Sequence, residues 1–75
     1  MEFSKEFDAS GMSCPLPIVK TKKALSDLPS GQVLRVISTD PGSLRDMAAF
    51  ADQTGNALLE QVNENGKFVF YIKKA

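Results

Sequence analysis

The first nine residues alternate. Phe3, Lys5, Phe7 and Ala9 fall on one side and Glu2, Ser4, Glu6 and Asp8 on the other, a period of two that predicts a weakly amphipathic first strand at an edge. From Pro15 to about Leu28 the period lengthens. Ile18, Thr21, Leu25 and Leu28 recur at helical spacing, Lys20, Lys22 and Lys23 gather toward the opposite side, and Pro29-Ser30-Gly31 closes the segment. Val33, Leu34, Val36 and Ile37 then form a nearly continuous apolar run, with Arg35 as its one charged member, which predicts an interior, central strand. After the turn cluster Thr39-Asp40-Pro41-Gly42-Ser43, the residues Leu44, Met47, Ala48 and Ala51 repeat at i, i+3, i+4 and i+7, a second amphipathic helix with Gly55 as its C-terminal cap. Phe50 lies off the strict stripe but is read as core, the usual fate of an aromatic at a helix edge. Ala57 to Asn63 predicts a third strand. Lys67 to Lys73 predicts a fourth, with Phe68, Phe70 and Ile72 on one face, and Asn65-Gly66 is a tight-turn signal between them.

The order β-α-β-α-β-β predicts an α/β (α+β) two-layer sandwich: a mixed four-stranded sheet with both helices packed on one face and the other face open to a partner. At 75 residues, the chain 1–75 is read as a single domain with a modest core, so chemistry belongs at its surface. Nine basic residues balance nine acidic ones, which argues against a dedicated nucleic-acid binder. The absence of a long apolar run argues against a membrane span or signal peptide and for a cytoplasmic protein. There is no histidine and only one cysteine, so a metal site, a cysteine-histidine dyad and an internal disulfide are all excluded as readings. Neither a Gly-x-x-x-x-Gly-Lys loop nor a Gly-x-Gly-x-x-Gly turn is present, and no cofactor is expected.

The remaining candidate chemistry is the thiol of Cys14, in Gly11-Met12-Ser13-Cys14-Pro15-Leu16-Pro17. Proline suits the first helical position, because its missing N–H would have no intrahelical partner there. Pro15 is therefore read as that position and Cys14 as the N-cap, where Ser, Thr, Asp or Asn would serve stability better. Pro15 and Pro17 offer no donor, which leaves the N–H groups of Leu16 and Ile18 facing the sulfur. Together with the positive helix end these favour a thiolate, below the free cysteine pKa of ~8.5. A lone cysteine is also an ordinary small apolar core residue. The glycine lead-in at Gly11 and the proline pair favour the nucleophile, with Gly11, Met12 and Leu16 as an apolar rim for transient docking.

The segment Asp8-Ala9-Ser10-Gly11-Met12-Ser13-Cys14-Pro15-Leu16-Pro17 resembles the Cys-Pro-x-Pro signature of the TusA-like sulfur-carrier proteins, also called the SirA-like family. Thr39-Asp40-Pro41-Gly42-Ser43-Leu44-Arg45-Asp46 resembles that family's second characteristic segment, and the likeness runs from the first strand to the final hairpin. As a departure from that pattern, many members of the family carry a basic residue where Ser10 or Ser13 stands here. The resemblance implies a sulfur carrier that holds a sulfane sulfur as a persulfide on Cys14, acting as a sulfurtransferase in a relay rather than as a stand-alone catalyst. It implies a donor protein, a cysteine desulfurase or a rhodanese-like protein, and an acceptor with a reactive cysteine. The same logic serves tRNA thiolation, molybdenum-cofactor assembly and sulfur oxidation. It also sets the Asp40 to Asp46 segment near the cysteine end of the fold; Asp40 and Arg45 are candidate contacts for a partner or an anionic sulfur species, against the plainer readings of Asp40 as a turn or N-cap residue and of Arg45 in a surface ion pair with Asp46 or Asp52. Lys20, Lys22 and Lys23 are read either as a steering face for acidic partners or as a solvated helix face. The protein is expected to be a monomer alone. Competing functions are an RNA-binding module using the open sheet face and a redox-regulatory adaptor forming mixed disulfides.

Overall fold

In a computed structural model, which describes residues 2–12 and 16–75, the apolar run of the second strand lies inside a mixed sheet. The elements are β1 (Lys5–Ala9), α1 (Leu16–Ser26), β2 (Val33–Ser38), α2 (Ser43–Thr54), β3 (Ala57–Glu64) and β4 (Lys67–Lys73). The strand order is β1-β2-β4-β3. β1 and β2 are parallel, and β4 runs antiparallel to both β2 and β3. A parallel pair needs a crossover, which α1 provides. β2 and β3 run the same way with α2 between them in sequence, but β4 has inserted between the two strands.

Alternation decides the two faces. Leu34, Val36 and Ser38 are fully buried toward the helices, in register with Lys5, Phe7 and Ala9 on β1 and with Ile72, Phe70 and Phe68 on β4. Leu34, Val36, Phe68, Phe70 and Ile72 join Ala24 and Leu25 of α1 and Met47 and Phe50 of α2 in one core, against which Phe7, Ile18, Leu28, Leu44 and Leu58 pack. Both helices therefore cover the same sheet face, although on α2 the predicted stripe residue Ala48 is exposed and Met47, Phe50 and Ala51 are the apolar residues buried. Each fully buried side chain of this size contributes about 1.5–3 kcal/mol. Thr21 of α1 is also fully buried, and its hydroxyl has no hydrogen-bond partner among the described residues.

Two other predicted details change. Phe3 does not share a side with Phe7: the strand begins only at Lys5, Ser4 N–H is already bonded to Val33 carbonyl at 2.8 Å, and Phe3 crosses to the far face of the sheet. There its ring lies 6.4 Å from that of Tyr71, and the Arg35 guanidinium sits 5.6 Å from the Phe3 centroid and 5.9 Å from the Tyr71 centroid. The regular part of α1 stops at Ser26 rather than Leu28, because Asp27 and Leu28 turn to i−3 bonds on Ala24 and Leu25. The Asn65-Gly66 turn takes φ of 48° and 80°, the pair of positive values that a two-residue type I′ hairpin demands. Gly55 caps α2 in the left-handed region at φ 76°.

Candidate functional site

Because β1 and β2 are parallel and each leads into a helix, both strand-to-helix corners, and with them the starts of α1 and α2, lie at the same end of the sheet. The first corner leaves β1 at Ala9, which is fully buried. Asp8 Oδ1 accepts the Ser10 N–H at 2.9 Å, and Ala9 carbonyl accepts the Met12 N–H at 3.1 Å. Gly11 occupies the third position of that turn at φ +82°, where a side chain would be strained. The bonds from Ser10 hold the Asp8 carboxyl below the usual aspartate range.

Cys14 and Pro15 lie outside the described residues, and with them the N-cap position and the relation of the Leu16 and Ile18 amides to the sulfur. On the far side of that segment α1 begins at Leu16. Pro17 is fully buried and Ile18 packs on the core, which anchors the first turn, while Leu16 is 48 % exposed. Val19, three residues on, is 55 % exposed. Residues three apart share a helix face, so Leu16 and Val19 form an apolar patch beside the cysteine segment. Val19 is absent from the sequence-predicted rim. Its signal was its position off the Ile18-Thr21-Leu25 stripe and one turn from Leu16.

The second corner is knit by polar side chains. The hydroxyls of Ser38 and Ser43 are 2.6 Å apart and both residues are buried. Ser38 Oγ also accepts the Asp40 N–H at 3.2 Å, Asp40 Oδ1 accepts the Gly42 N–H at 3.3 Å, and Asp40 carbonyl accepts the Ser43 N–H at 3.0 Å. Asp40 thus has a structural place in the turn that launches α2. Arg45 is exposed in the first turn of that helix, at the same end of the fold. The corners are joined by one bond that the sequence did not announce: Gly11 N–H donates to Thr39 Oγ1 at 2.9 Å, across 28 positions of chain.

The three lysines of α1 do not form one patch. Lys20 and Lys23 border a groove with Lys5 and Asp27 against β1, whereas Lys22 lines a different groove with Lys74 beside the ends of both helices. Among the described residues no three His, Cys, Asp or Glu side chains gather to hold a metal, and no helix is long and apolar enough to cross a membrane. On the open sheet face Arg35 donates to Glu6 Oε2 at 2.6 Å and to Tyr71 Oη at 3.2 Å, and these bonds, Tyr71 first, raise its pKa further.

Comparison with known proteins matches the same corners and strands as a whole. Residues 5–74 fit the family model described as sulfurtransferase TusA. The chain is 60 % identical over 74 residues to the sulfur carrier protein TusA of Allochromatium vinosum, covering 99 % of this chain and 97 % of that one. It is 46 % identical to a putative sulfur carrier protein of Bacillus subtilis, with 99 % of each chain covered. The crystal structure of a SirA-like protein from Desulfitobacterium hafniense superposes with a TM-score of 0.83 at 29 % identity, covering 93 % of this chain and 96 % of the other. Fold, motif spacing and full-length similarity agree, and this chain belongs to the TusA family of sulfurtransferases.

Proposed function

We propose that the protein is a sulfur carrier whose working atom is Cys14 Sγ. The thiolate attacks the terminal sulfur of a donor protein's persulfide; the donor S–S bond breaks, the donor thiolate leaves, and Cys14 holds Cys-S-SH. In the second half an acceptor cysteine thiolate attacks that terminal sulfur and Cys14 leaves as thiolate. The terminal sulfur keeps its oxidation level throughout, and no redox cofactor is required. Such exchange depends on thiolate fraction, leaving-group pKa and access, so the lack of histidine is no obstacle.

The observation that carries this proposal is the full-length similarity to the sulfur carrier protein TusA of Allochromatium vinosum, with the chain's sole cysteine standing in the Cys-Pro-x-Pro segment. The exposed Leu16 and Val19 support transient docking of a donor, a cysteine desulfurase or rhodanese-like protein, and of an acceptor with a reactive cysteine, in the cytoplasm. The relay served is one of tRNA thiolation, molybdenum-cofactor assembly or sulfur oxidation. An RNA-binding role draws no support from the open sheet face, where Arg35 is already engaged by Glu6 and Tyr71.

The test is intact mass spectrometry of the reduced protein after incubation with a rhodanese and thiosulfate, or with a cysteine desulfurase and cysteine. The expected result is one added sulfur atom, mapped to Cys14, removed by reductant and absent from Cys14→Ala. No added sulfur with either donor contradicts the proposal.

A further inference from the structure

We infer that Thr39 is a positioning residue for Cys14: its hydroxyl pins the glycine turn that feeds the cysteine segment onto the rigid corner at the start of α2. The inference goes beyond the carrier role proposed above and, for its effect on sulfur transfer, rests on it.

The acceptor side of the bond is fixed. Thr39 is flanked by Ser38, fully buried and bonded to the Ser43 hydroxyl, and by Asp40, whose N–H, carboxylate and carbonyl all make bonds within the corner. The donor side is conformationally free by nature. Gly11 sits at φ +82°, and among the described residues nothing lies within 4 Å of where a Cβ would be; a glycine has the widest choice of backbone states to lose. What holds it in the described residues is the turn and the Thr39 hydroxyl, 2.9 Å from its N–H.

A stretch of three residues spans at most ~11 Å, so a fixed Gly11 limits the reach of the segment that follows it. On the other side the buried Pro17 anchors α1. Thr39 thereby gives the second family segment a role in the chemistry of the first without touching the sulfur. Loss of the hydroxyl releases the Gly11 turn from the second corner and slows a transfer in which small misplacements matter.

The experiment compares wild type, Thr39→Val and Thr39→Ser. Three readouts are taken: the single-turnover rate of sulfur uptake from a rhodanese persulfide, the pH profile of Cys14 alkylation by iodoacetamide, and the thermal midpoint. Valine keeps the shape and removes the acceptor; serine restores it. The expected result is uptake slowed roughly 3- to 10-fold in Thr39→Val, the range set by one hydrogen bond, with a displaced alkylation profile, and both recovered to within about 2-fold in Thr39→Ser. A Thr39→Val protein that matches wild type in uptake and alkylation overturns the inference. So does a Thr39→Ser protein as impaired as the valine variant. If wild type accepts no sulfur while its alkylation profile still shifts in Thr39→Val and recovers in Thr39→Ser, the pin stands and the carrier role falls.

Discussion

The two strand-to-helix corners sit side by side and are built in opposite ways. The β2–α2 corner is made rigid by short polar side chains: a buried pair of serine hydroxyls, an aspartate closing its own turn, and the backbone N–H groups of Asp40, Gly42 and Ser43 all bonded within the six residues from Ser38 to Ser43. The β1–α1 corner uses glycine and proline, residues that shape a chain by what they lack, and it carries the sole cysteine. One corner holds itself still through its own side chains, whereas the other is tied to it by the Gly11–Thr39 bond. A carrier needs this division. Thiol exchange depends on access and alignment, and a fixed platform serves the second without closing off the first.

The largest effect expected is on function at the first corner. Cys14→Ala abolishes sulfur uptake completely while leaving the urea unfolding midpoint at the wild-type value; residual loading on the variant, seen by mass, would place the carrier atom elsewhere. The largest stability effect belongs to the second corner. Ser38→Ala strips the buried Ser43 hydroxyl and the Asp40 N–H of their partner and destabilises the fold by about 2 kcal/mol in urea titration. A loss below about 0.5 kcal/mol would mean that the corner is not held as described.

Glycine substitutions sharpen the contrast. Gly11 and Gly55 share the left-handed region, at φ 82° and 76°, and neither has an atom within 4 Å of a Cβ. Gly11→Ala and Gly55→Ala should therefore each cost about 1 kcal/mol from backbone strain alone. Only the first should alter the rate of Cys14 alkylation. Equal effects on alkylation would show that general loosening, not the first corner, governs the thiol.

The smallest effect is electrostatic. Because the Ser10 hydrogen bonds favour the ionised Asp8, its folded pKa lies below its unfolded value. The stabilisation is then fully present above the unfolded pKa and is lost as pH falls through the lower folded one, entirely in the acid range. An NMR titration should find the Asp8 midpoint below that of a free aspartate and moved back toward it when a Ser10→Pro change removes the N–H donor. No difference between the two would remove Asp8 from the account of the turn.

Much of this was legible in the residues. The run Val33 to Ile37 announced a strand paired on both sides, Phe50 announced itself as core, and Asn65-Gly66 and Gly55 marked their turns by backbone chemistry that few other residues tolerate. Such signals are local. The insertion of β4 between β2 and β3 is not local, although the apolar sequence Phe68-Val69-Phe70-Tyr71-Ile72 hints at it, since a strand buried on both faces belongs inside a sheet. Phe3 misled because alternation continued one step past the true start of β1. Thr39 was hidden for a related reason: a hydroxyl in a turn cluster reads as turn chemistry, and only the parallel pairing of β1 with β2 brings it to Gly11. At the site, the cysteine segment was legible through glycine and proline, while the Gly11–Thr39 bond between the corners became visible only in three dimensions.

The most direct test of the carrier account is a single-turnover chase with isotopically labelled sulfur. The protein is loaded on Cys14, freed of donor, and mixed with an acceptor protein bearing a reactive cysteine. The account predicts that label leaves Cys14 as it appears on the acceptor, in equal amounts, with no label released as free sulfide. Label that stays on Cys14, or that leaves only as sulfide, would contradict it.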